Sequence, residues 1–548
     1  MKNYLKQLFL HKVIYLFLFV CIFLLFQIGQ TCLYIKKENS YYIIDNLYPI
    51  VNYGIYYFII LLLMSVQYFY SLCKYHMQEA LDGISYKKSE KNQLFCVFMI
   101  HLAFTFFVTG YCVFMYSCCF KIAFSLMVHI ILNIIINIGI CGVLAIVTGK
   151  SLSLLSSDFL RIIVLAIVIC IVSPIKNEIN YWVGFDTSMI EVFPENSNFV
   201  ANGYLGYPVQ IQRVAVILFW IALNLIIIEF YFNKNVKKIV YSAVWGFFAI
   251  ICLLVFLIPH TNLTNLGKKS SMLYSQTHYL GLLALEKKES GFVTKGYDIE
   301  LTISNQIKAS VTVSIERNRE EKELLFTLYH DFSVTKIYDQ SGNDLTYRRD
   351  GDYLSIDSTN DMKNITFVYE GNGCPFYAEY AGIYLPPGVP YYPIAGFHKV
   401  YDEKNRCFYK MELPEAVPFS IQVNSSQKIY SNLSMDDSGS FKGCVKEVML
   451  LSGFVNEIDY EGCRFLFPAT YDEDRILKDI KETVNKFQDF KGGLKESLTD
   501  KIFVWIPGIN AADREAYFDD LVMCYMFKEE YLVNWYKEQY IQCLNDLK

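Results

Sequence analysis

The chain has 548 residues, of which 53% are hydrophobic and 19% are charged, and its formal net charge is -5. That share of charged residues excludes a chain that lies in the membrane throughout, whereas the apolar share exceeds that of soluble proteins. The small net charge and the lack of a lysine or arginine run argue against nucleic-acid binding. The composition therefore predicts a two-part protein, with a membrane part and a water-exposed part.

Seven long apolar stretches occupy the first 260 residues, and about 20 apolar helical residues are enough to cross a hydrocarbon core. The predicted spans are residues 13–33, 48–70, 94–116, 122–147, 159–175, 214–232 and 239–259. The fifth is the shortest. The first lacks the small-residue cleavage site of a signal peptide, so we expect it to remain as a span. A multi-pass helical membrane domain is predicted over residues 1–260.

Lysine and arginine are distributed unequally between the two sets of loops. One set contains Lys74, Lys88, Lys150 and Lys237, whereas the other is poor in basic residues. Because cytoplasmic loops retain positive charge, the N-terminus is predicted to be cytoplasmic. An odd number of spans then predicts that everything after residue 260 is extracellular, on a chain embedded in the plasma membrane.

The loop between the second and third predicted spans is amphipathic. It carries Met77, Leu81 and Ile84 at helical spacing on one face. Glu79 and Asp82 lie elsewhere on the segment, which also includes Tyr86. Such a segment suits a membrane surface or a cleft in a partner protein. An ordinary solvated loop is the alternative.

Six spans, this cytosolic segment and a longer excursion before the sixth resemble permeases of the ABC-2 type. The resemblance implies a separate cytosolic ABC ATPase that contacts the amphipathic segment, and a homo- or heterodimer of permeases. The chain has no nucleotide-binding motif of its own. Thr148-Gly-Lys-Ser looks like the end of a phosphate-binding loop, but Leu144 stands where that loop requires glycine.

Polar residues also occur inside the predicted fourth span. His129, Asn133 and Asn137 recur at every fourth residue and therefore share one face of a helix. Polar groups in hydrocarbon are costly, so this stripe is expected to face protein or water. It either lines a substrate route or hydrogen-bonds neighbouring helices. His101 in the third span is expected to be a packing residue with satisfied hydrogen bonds.

Beyond a juxtamembrane connector, residues 261–295, the hydrophobic period changes to two. Tyr297, Ile299 and Leu301 alternate with polar residues, which predicts antiparallel strands. We predict a mainly-β sandwich or saddle over residues 296–470. A small α/β segment follows over residues 471–548, with a helix to about Phe490, a strand at 502–506 and a final helix from about Asp513.

The run from Leu324 through Leu-Phe-Thr-Leu-Tyr-His-Asp-Phe, then Ile365-Thr-Phe-Val-Tyr-Glu-Gly and Tyr384-Leu-Pro-Pro-Gly, resembles the N-terminal β-domain of M1-type aminopeptidases. The likeness implies that fold and suggests a peptide ligand. M1 catalysis requires H-E-x-x-H, in which two histidines bind zinc and the glutamate acts as base. None of the eight histidines begins that motif. The domain is therefore predicted to be catalytically inactive, with no metal and no cofactor.

Six cysteines follow the last predicted span, and Cys444 with Cys463 is the disulfide we favour, although free buried thiols remain open. The leading interpretation is a permease-like subunit of an ABC transporter with an inactive aminopeptidase-like ectodomain, which exports or senses a peptide or envelope ligand. A membrane-anchored sensor or scaffold without transport is the main rival. A hydrolase that uses unrecognised residues is a third alternative.

Overall fold

The computed structural model describes most of the chain. It covers residues 12–37, 47–74, 89–120, 124–173, 211–232, 236–257, 288–469 with short gaps at 305, 318, 320–321, 359–361, 372–376, 380–381 and 403–406, 471–490, 501–505, 516–517 and 520–524, and residues 175, 188–190, 192–193, 204, 278–279, 527 and 534. Two compact units are present. The helical unit is Met1–Ala201, Gly206–Ile258 and Thr470–Asp472, and the β unit is Asn202–Leu205, Pro259–Ala469 and Glu473–Lys548.

The helical unit consists of long apolar helices. They are α1 (Lys12–Lys37), α2 (Leu47–Lys74), α3 (Ser89–Cys119), α4 (Phe124–Ile134), a π-helix (Ile135–Ile140), α5 (Cys141–Ser153), α6 (Asp158–Val172), a 3-10 turn (Ser188–Ile190), α7 (Ile211–Phe232) and α8 (Val236–Phe256). Within the described residues, six helical runs are long and apolar enough to cross a membrane, with α4, the π-helix and α5 counting as one. These runs confirm a helical N-terminal region typical of a multi-pass membrane protein.

The fifth predicted span differs from the expectation. Residues 159–175 correspond to α6, which has 15 residues and is not among the six candidate spans. At about 1.5 Å per residue, a helix of that length is shorter than the hydrocarbon core. The helix begins at Asp158 because Ser157 caps it, accepting a hydrogen bond from the Leu160 amide at 3.3 Å.

Strands dominate the β unit. They are β1 (Phe292–Ile303), β2 (Ile307–Arg317), β3 (Glu323–Thr327), β4 (Ser333–Asp339), β5 (Tyr347–Asp350), β6 (Tyr353–Asp357), β7 (Asn364–Gly371), β8 (Tyr377–Glu379), β9 (Gly382–Leu385), β10 (Ile394–Ala395), β11 (Tyr401–Asp402), β12 (Cys407–Phe408), β13 (Val417–Asn424), β14 (Tyr430–Ser431), β15 (Ser434–Met435), β16 (Phe441–Val445), β17 (Leu450–Ser452), β18 (Val455–Tyr460), β19 (Cys463–Pro468), β20 (Ile502–Trp505), β21 (Ala516–Tyr517) and β22 (Leu521–Cys524).

Two sheets enclose the largest core of this unit. The seven-stranded sheet has the order β15-β16-β13-β1-β2-β7-β4 and the four-stranded sheet the order β10-β3-β6-β5. The predicted alternation is confirmed, because Tyr297, Ile299 and Leu301 on β1 are all buried in a core that also holds Phe326 and Ile356 of the smaller sheet. A mainly-β region therefore follows the helical unit, as predicted.

The C-terminal segment is α/β. Helix α9 (Glu473–Phe490) lies in sequence between β19 and β20, which pair in parallel and therefore need a crossover connection. The predicted helix to about Phe490 and strand near Ile502 are present. The helix predicted from about Asp513 is wrong where the structure describes it, since β21 and β22 occupy 516–517 and 521–524. The apolar run Leu521–Cys524 is buried on all four positions, as in an inner strand of a parallel sheet.

Candidate functional site

The polar stripe of the fourth span is buried among helices. Asn133 and Asn137 are both 0% exposed, and His129 is half-buried. The Asn133 side-chain amide donates to the His129 carbonyl at 3.1 Å, and the Asn137 amide donates to the Asn133 carbonyl at 2.8 Å. Both amide N–H groups thus bond within their own helix. The Asn137 Oδ1 atom has no hydrogen-bond partner in the described part of the chain.

The helix carrying this stripe is not regular. The six residues Ile135–Ile140 form a π-helix, which widens the helix by one residue per turn and is frequent at functional sites. Gly54 of α2 approaches closely here, since a methyl group on it would lie 3.2 Å from the Asn137 carbonyl oxygen and 3.2 Å from the Phe193 ring. The stripe therefore continues into a packed junction of α2, the π-helix and the segment around Phe193.

His101 of α3 lies against the same π-helix. Its Nε2 atom is 2.9 Å from the Gly139 carbonyl, so Nε2–H must donate, and Nδ1 then accepts from the Tyr57 hydroxyl at 2.8 Å. A methyl group on Gly142 would lie 2.7 Å from Nε2, so only glycine leaves room for this ring. The expectation of a satisfied packing histidine agrees with these contacts. Tyr57 and Gly142 had no sequence signal that linked them to His101.

A second polar group lies where α2 ends and α6 begins. Arg161 donates to Asp158 at 2.8 Å and to the Leu155 carbonyl, and its guanidinium lies 3.7 Å from the centre of the Tyr70 ring. The Tyr70 hydroxyl donates to the same Asp158 carboxylate at 2.8 Å. Nearby, the buried Lys150 ammonium lies 4.8 Å from the Phe69 ring. The Arg161 guanidinium is thus paired and stacked, and the Lys150 ammonium lies over an aromatic ring.

The predicted ATPase-coupling residues cannot be placed. Met77, Glu79, Leu81, Asp82, Ile84 and Tyr86 lie outside the described residues. The flanking helices α2 and α3 end at Lys74 and begin at Ser89. The coupling role stays a prediction from the sequence.

In the β unit, folding brings together a polar cluster that the sequence analysis did not identify. Asp352 is 4% exposed and accepts three hydrogen bonds. They come from the His330 backbone N–H at 2.7 Å, the His330 Nδ1–H at 3.0 Å and the Tyr279 hydroxyl at 2.9 Å. The His278 ring stacks on the His330 ring with centroids 3.6 Å apart. We call these four residues the His-Asp cluster.

Local structure positions each member of the cluster. Asp352 is the second residue of the two-residue loop that joins β5 and β6 in a hairpin, and the first loop residue, Gly351, has a φ of 56°. His330 lies in the β3–β4 turn, where Arg349 holds the chain by donating to the Tyr329 carbonyl at 2.8 Å and to the Phe332 carbonyl. Tyr279 stacks on Tyr401 at 5.0 Å.

Burial governs the ionisation of this cluster. It lowers the pKa of His278 below its ordinary 6.5; His330 lowers it further, and Asp352 and Asp331 oppose the shift. Burial, together with the Asp352 charge, raises the pKa of Tyr279 well above 10.0. Burial also lowers the pKa of Arg349, against the opposing charge of Asp352.

The His-Asp cluster has the donor and acceptor types of an acid-base site but not the exposure of one. The His330 side chain is 7% exposed and that of Asp352 is 5% exposed, so a substrate has little access to them. Among the described residues, no group of three or more histidine, cysteine, aspartate or glutamate side chains is arranged to hold a metal ion. The cluster instead ties residues 278–279, which follow the last helix of the helical unit, to two turns of the β-fold.

The predicted Cys444–Cys463 disulfide is not formed in the structure. Cys444 is exposed on β16 of the seven-stranded sheet, whereas Cys463 is fully buried at the start of β19 in the five-stranded sheet. Their spacing in sequence gave no information about this difference in sheet and exposure.

No protein-family model matches the chain, and no curated protein matches it. Among solved structures it is similar to leukotriene A4 hydrolase from Saccharomyces cerevisiae, with 14% identity over 43% of this chain and 40% of that chain, at a TM-score of 0.30. It is also similar to an M1 zinc metallopeptidase from Deinococcus radiodurans (12% identity, 45% of this chain and 64% of that one, TM-score 0.29). An aminopeptidase N family protein from Idiomarina loihiensis gives 8% identity, 42% coverage of each chain and a TM-score of 0.29. The chain thus spans less than two thirds of each of these proteins.

Proposed function

We propose that the chain is the permease-like membrane subunit of an ABC transporter, and that its aminopeptidase-like β unit lies outside the cell and binds a peptide or envelope ligand without cleaving it. The observation that carries this proposal is the buried polar stripe of the fourth span. A chain that only anchored a domain would need apolar spans, because each buried amide costs free energy in hydrocarbon. Asn137 donates within its own helix, and its Oδ1 atom has no hydrogen-bond partner among the described residues, which favours a lining role over bonding between helices.

The directions of two helices support the predicted topology. Ser151 near the end of α5 donates to the Asn224 carbonyl in the second half of α7 at 3.3 Å, and α7 also contacts the π-helix that precedes α5. Adjacent helices that run in the same direction require the chain to return across the bilayer between them. Helix α6 is the only described α-helix in that interval. The arrangement therefore favours a crossing between α5 and α7, which α6 is too short to make alone, and seven crossings in total.

Tyr204 gives independent support. It precedes α7 in sequence, yet it is fully buried in the β unit, where its hydroxyl donates to the Trp505 carbonyl at 2.6 Å. Its own carbonyl accepts from the Phe454 amide at 2.6 Å. The excursion before α7 and the β unit therefore belong on one side of the membrane. With basic loops in the cytoplasm, that side is the outer one.

Coupling to an ATPase is the test of this function. The full chain, purified in mild detergent, is expected to retain an ABC ATPase. Replacing residues 77–86 with a Gly/Ser linker should abolish retention, since the apolar face of that segment would be lost. The matched control replaces residues 233–235, between α7 and α8, with Gly-Ser-Gly. Equal retention by both variants, or no ATPase with the unaltered chain, would contradict the proposal.

A membrane-anchored sensor is the second candidate, and the His-Asp cluster favours it. The cluster fixes residues 278–279 to the β-fold, which is the connection through which ligand binding would reach the helical unit. Deleting residues 296–548 distinguishes the two functions. ATPase retention that survives this deletion supports a permease. Loss of both ATPase retention and ATP-dependent transport supports a sensor or scaffold.

A further inference from the structure

Arg213 is a buried cation with no hydrogen-bond or ion-pair partner among the residues that the structure describes. The residue is 4% exposed, and its Nε, Nη1 and Nη2 atoms all lack a hydrogen-bond partner within the described part of the chain. No ion pair between described residues includes it. A guanidinium buried in this way is costly, because five N–H donors lose water and gain nothing in return.

The other buried arginine of the helical unit shows the contrast. Arg161 is 7% exposed, but Asp158, the Leu155 carbonyl and the Tyr70 ring surround its guanidinium. At Arg161 the described residues thus supply partners to both terminal nitrogens, and only Nε has none. Arg213 differs from Arg161 in partners and not in residue type or degree of burial.

The position of Arg213 at the start of α7 also favours the binding of an anion. Arg213 lies in the first turn of the 22-residue helix α7, where the backbone N–H groups have no partners within the helix and the dipole favours negative charge. Helix α7 contacts the π-helix, which carries Asn137, and α5, which begins at Cys141 one turn beyond Asn137. Cys141 lies between Phe124 and Ser153, well inside the fourth span. The 3-10 turn closes over the same helix, with Trp220 donating to the Met189 carbonyl at 2.8 Å.

We propose that Arg213 and the first turn of α7 form a binding site for a phosphate group. A guanidinium fork and several backbone N–H donors match the four oxygens of a phosphate better than the two of a carboxylate. The phosphate comes either from a lipid headgroup or from a small water-soluble molecule. This inference deepens the proposed function, because it names the class of ligand that would move along the polar stripe. It rests on the proposed function only in taking that stripe as a substrate route.

The test uses the full chain in a phosphate-free maltoside detergent, without any ATPase, so that failure of ATPase coupling cannot be mistaken for failure of binding. Melting temperature is measured with inorganic phosphate, with short-chain phosphatidylglycerol, and with chloride at matched ionic strength. At least one phosphate-bearing arm should raise the melting temperature above the chloride value. A response to phosphatidylglycerol alone identifies a lipid headgroup, and a response to inorganic phosphate identifies a soluble source.

Two variants separate the site from general charge effects. Arg213→Met should need at least about tenfold more ligand for the same rise in melting temperature. Its ligand-free melting temperature should stay equal or rise, because an unpaired buried charge is removed. Arg161→Met should lower the ligand-free melting temperature and keep the response. Arg213→Lys should retain part of it.

Several results would overturn the site. They are an unaltered chain that responds no more to phosphate than to chloride, a response that persists in Arg213→Met, and a response that Arg161→Met also loses. A ligand-free melting temperature that falls as far in Arg213→Met as in Arg161→Met would show that Arg213 has a partner within the chain, and would overturn it as well.

Discussion

Asp352 is the acceptor on which the His-Asp cluster depends, because three donors converge on its two carboxylate oxygens. We expect Asp352→Asn to lower the free energy of unfolding of the β unit by about 2 kcal/mol, since an amide offers one acceptor oxygen and faces the donors with N–H groups. Circular dichroism of the full chain in detergent would measure this from the melting of the strand signal. Asp350→Asn, an exposed position in the same hairpin, should change it by less than about 0.5 kcal/mol. Equal effects would refute this role.

His278 gives the β unit a pH dependence whose sign follows from its lowered pKa. The folded state holds fewer protons at this imidazole than the unfolded state does, so stability is full above the ordinary pKa of 6.5 and declines as the pH falls below it. His330, Asp352 and Asp331 face the same ring. His278→Phe keeps an aromatic ring for stacking and removes the titration. Melting temperatures of the variant should therefore change less than those of the unaltered chain between about pH 7 and pH 5.5. Parallel curves would show that His278 does not contribute.

At the scale of elements, the fourth span depends on small residues beside the π-helix. A side chain on Gly142 would collide with the His101 ring, whereas a methyl group on Gly110 of α3 would meet nothing within 4 Å. We expect Gly142→Ala to destabilise the helical unit by about 1–3 kcal/mol through overpacking. Gly110→Ala should be neutral or slightly stabilising, because alanine favours helix. Thermal unfolding in detergent would compare the two variants. A neutral effect of Gly142→Ala would show that the His101 ring moves aside at little cost.

Sequence pattern was sufficient for elements whose signal is local. Six apolar helical runs and the alternating strands β1 and β2 were predictable because hydrophobic period directly reflects which face is buried. The π-helix was not, since an extra residue per turn leaves no mark on composition. The fifth span was predicted to run to Ile175, across Ser173 and Pro174, whereas α6 ends at Val172, since apolar character alone does not say where a helix ends.

At the scale of the whole molecule, contacts between distant segments were the part that sequence could not provide. His278, His330 and Asp352 are separated by 52 and 22 residues, and none carries a motif. Tyr204 likewise joins the β unit from between two helices of the other unit. The polar stripe at Asn133 and Asn137 was predictable, because helical spacing alone aligns those residues. The lack of a partner for Arg213 among the described residues was not predictable, because it depends on what the neighbouring helices supply.

The central claim is that a helical membrane unit carries the β unit on the outer face of the cell membrane. Cys444 offers a direct probe, because it is an exposed cysteine on β16. Intact cells would be treated with a membrane-impermeant maleimide, and the modified cysteine would be assigned by peptide mass spectrometry, with Cys444→Ser as the control. We predict that Cys444 is modified in intact cells. Modification only after the membrane is permeabilised would place the β unit in the cytoplasm and contradict the account.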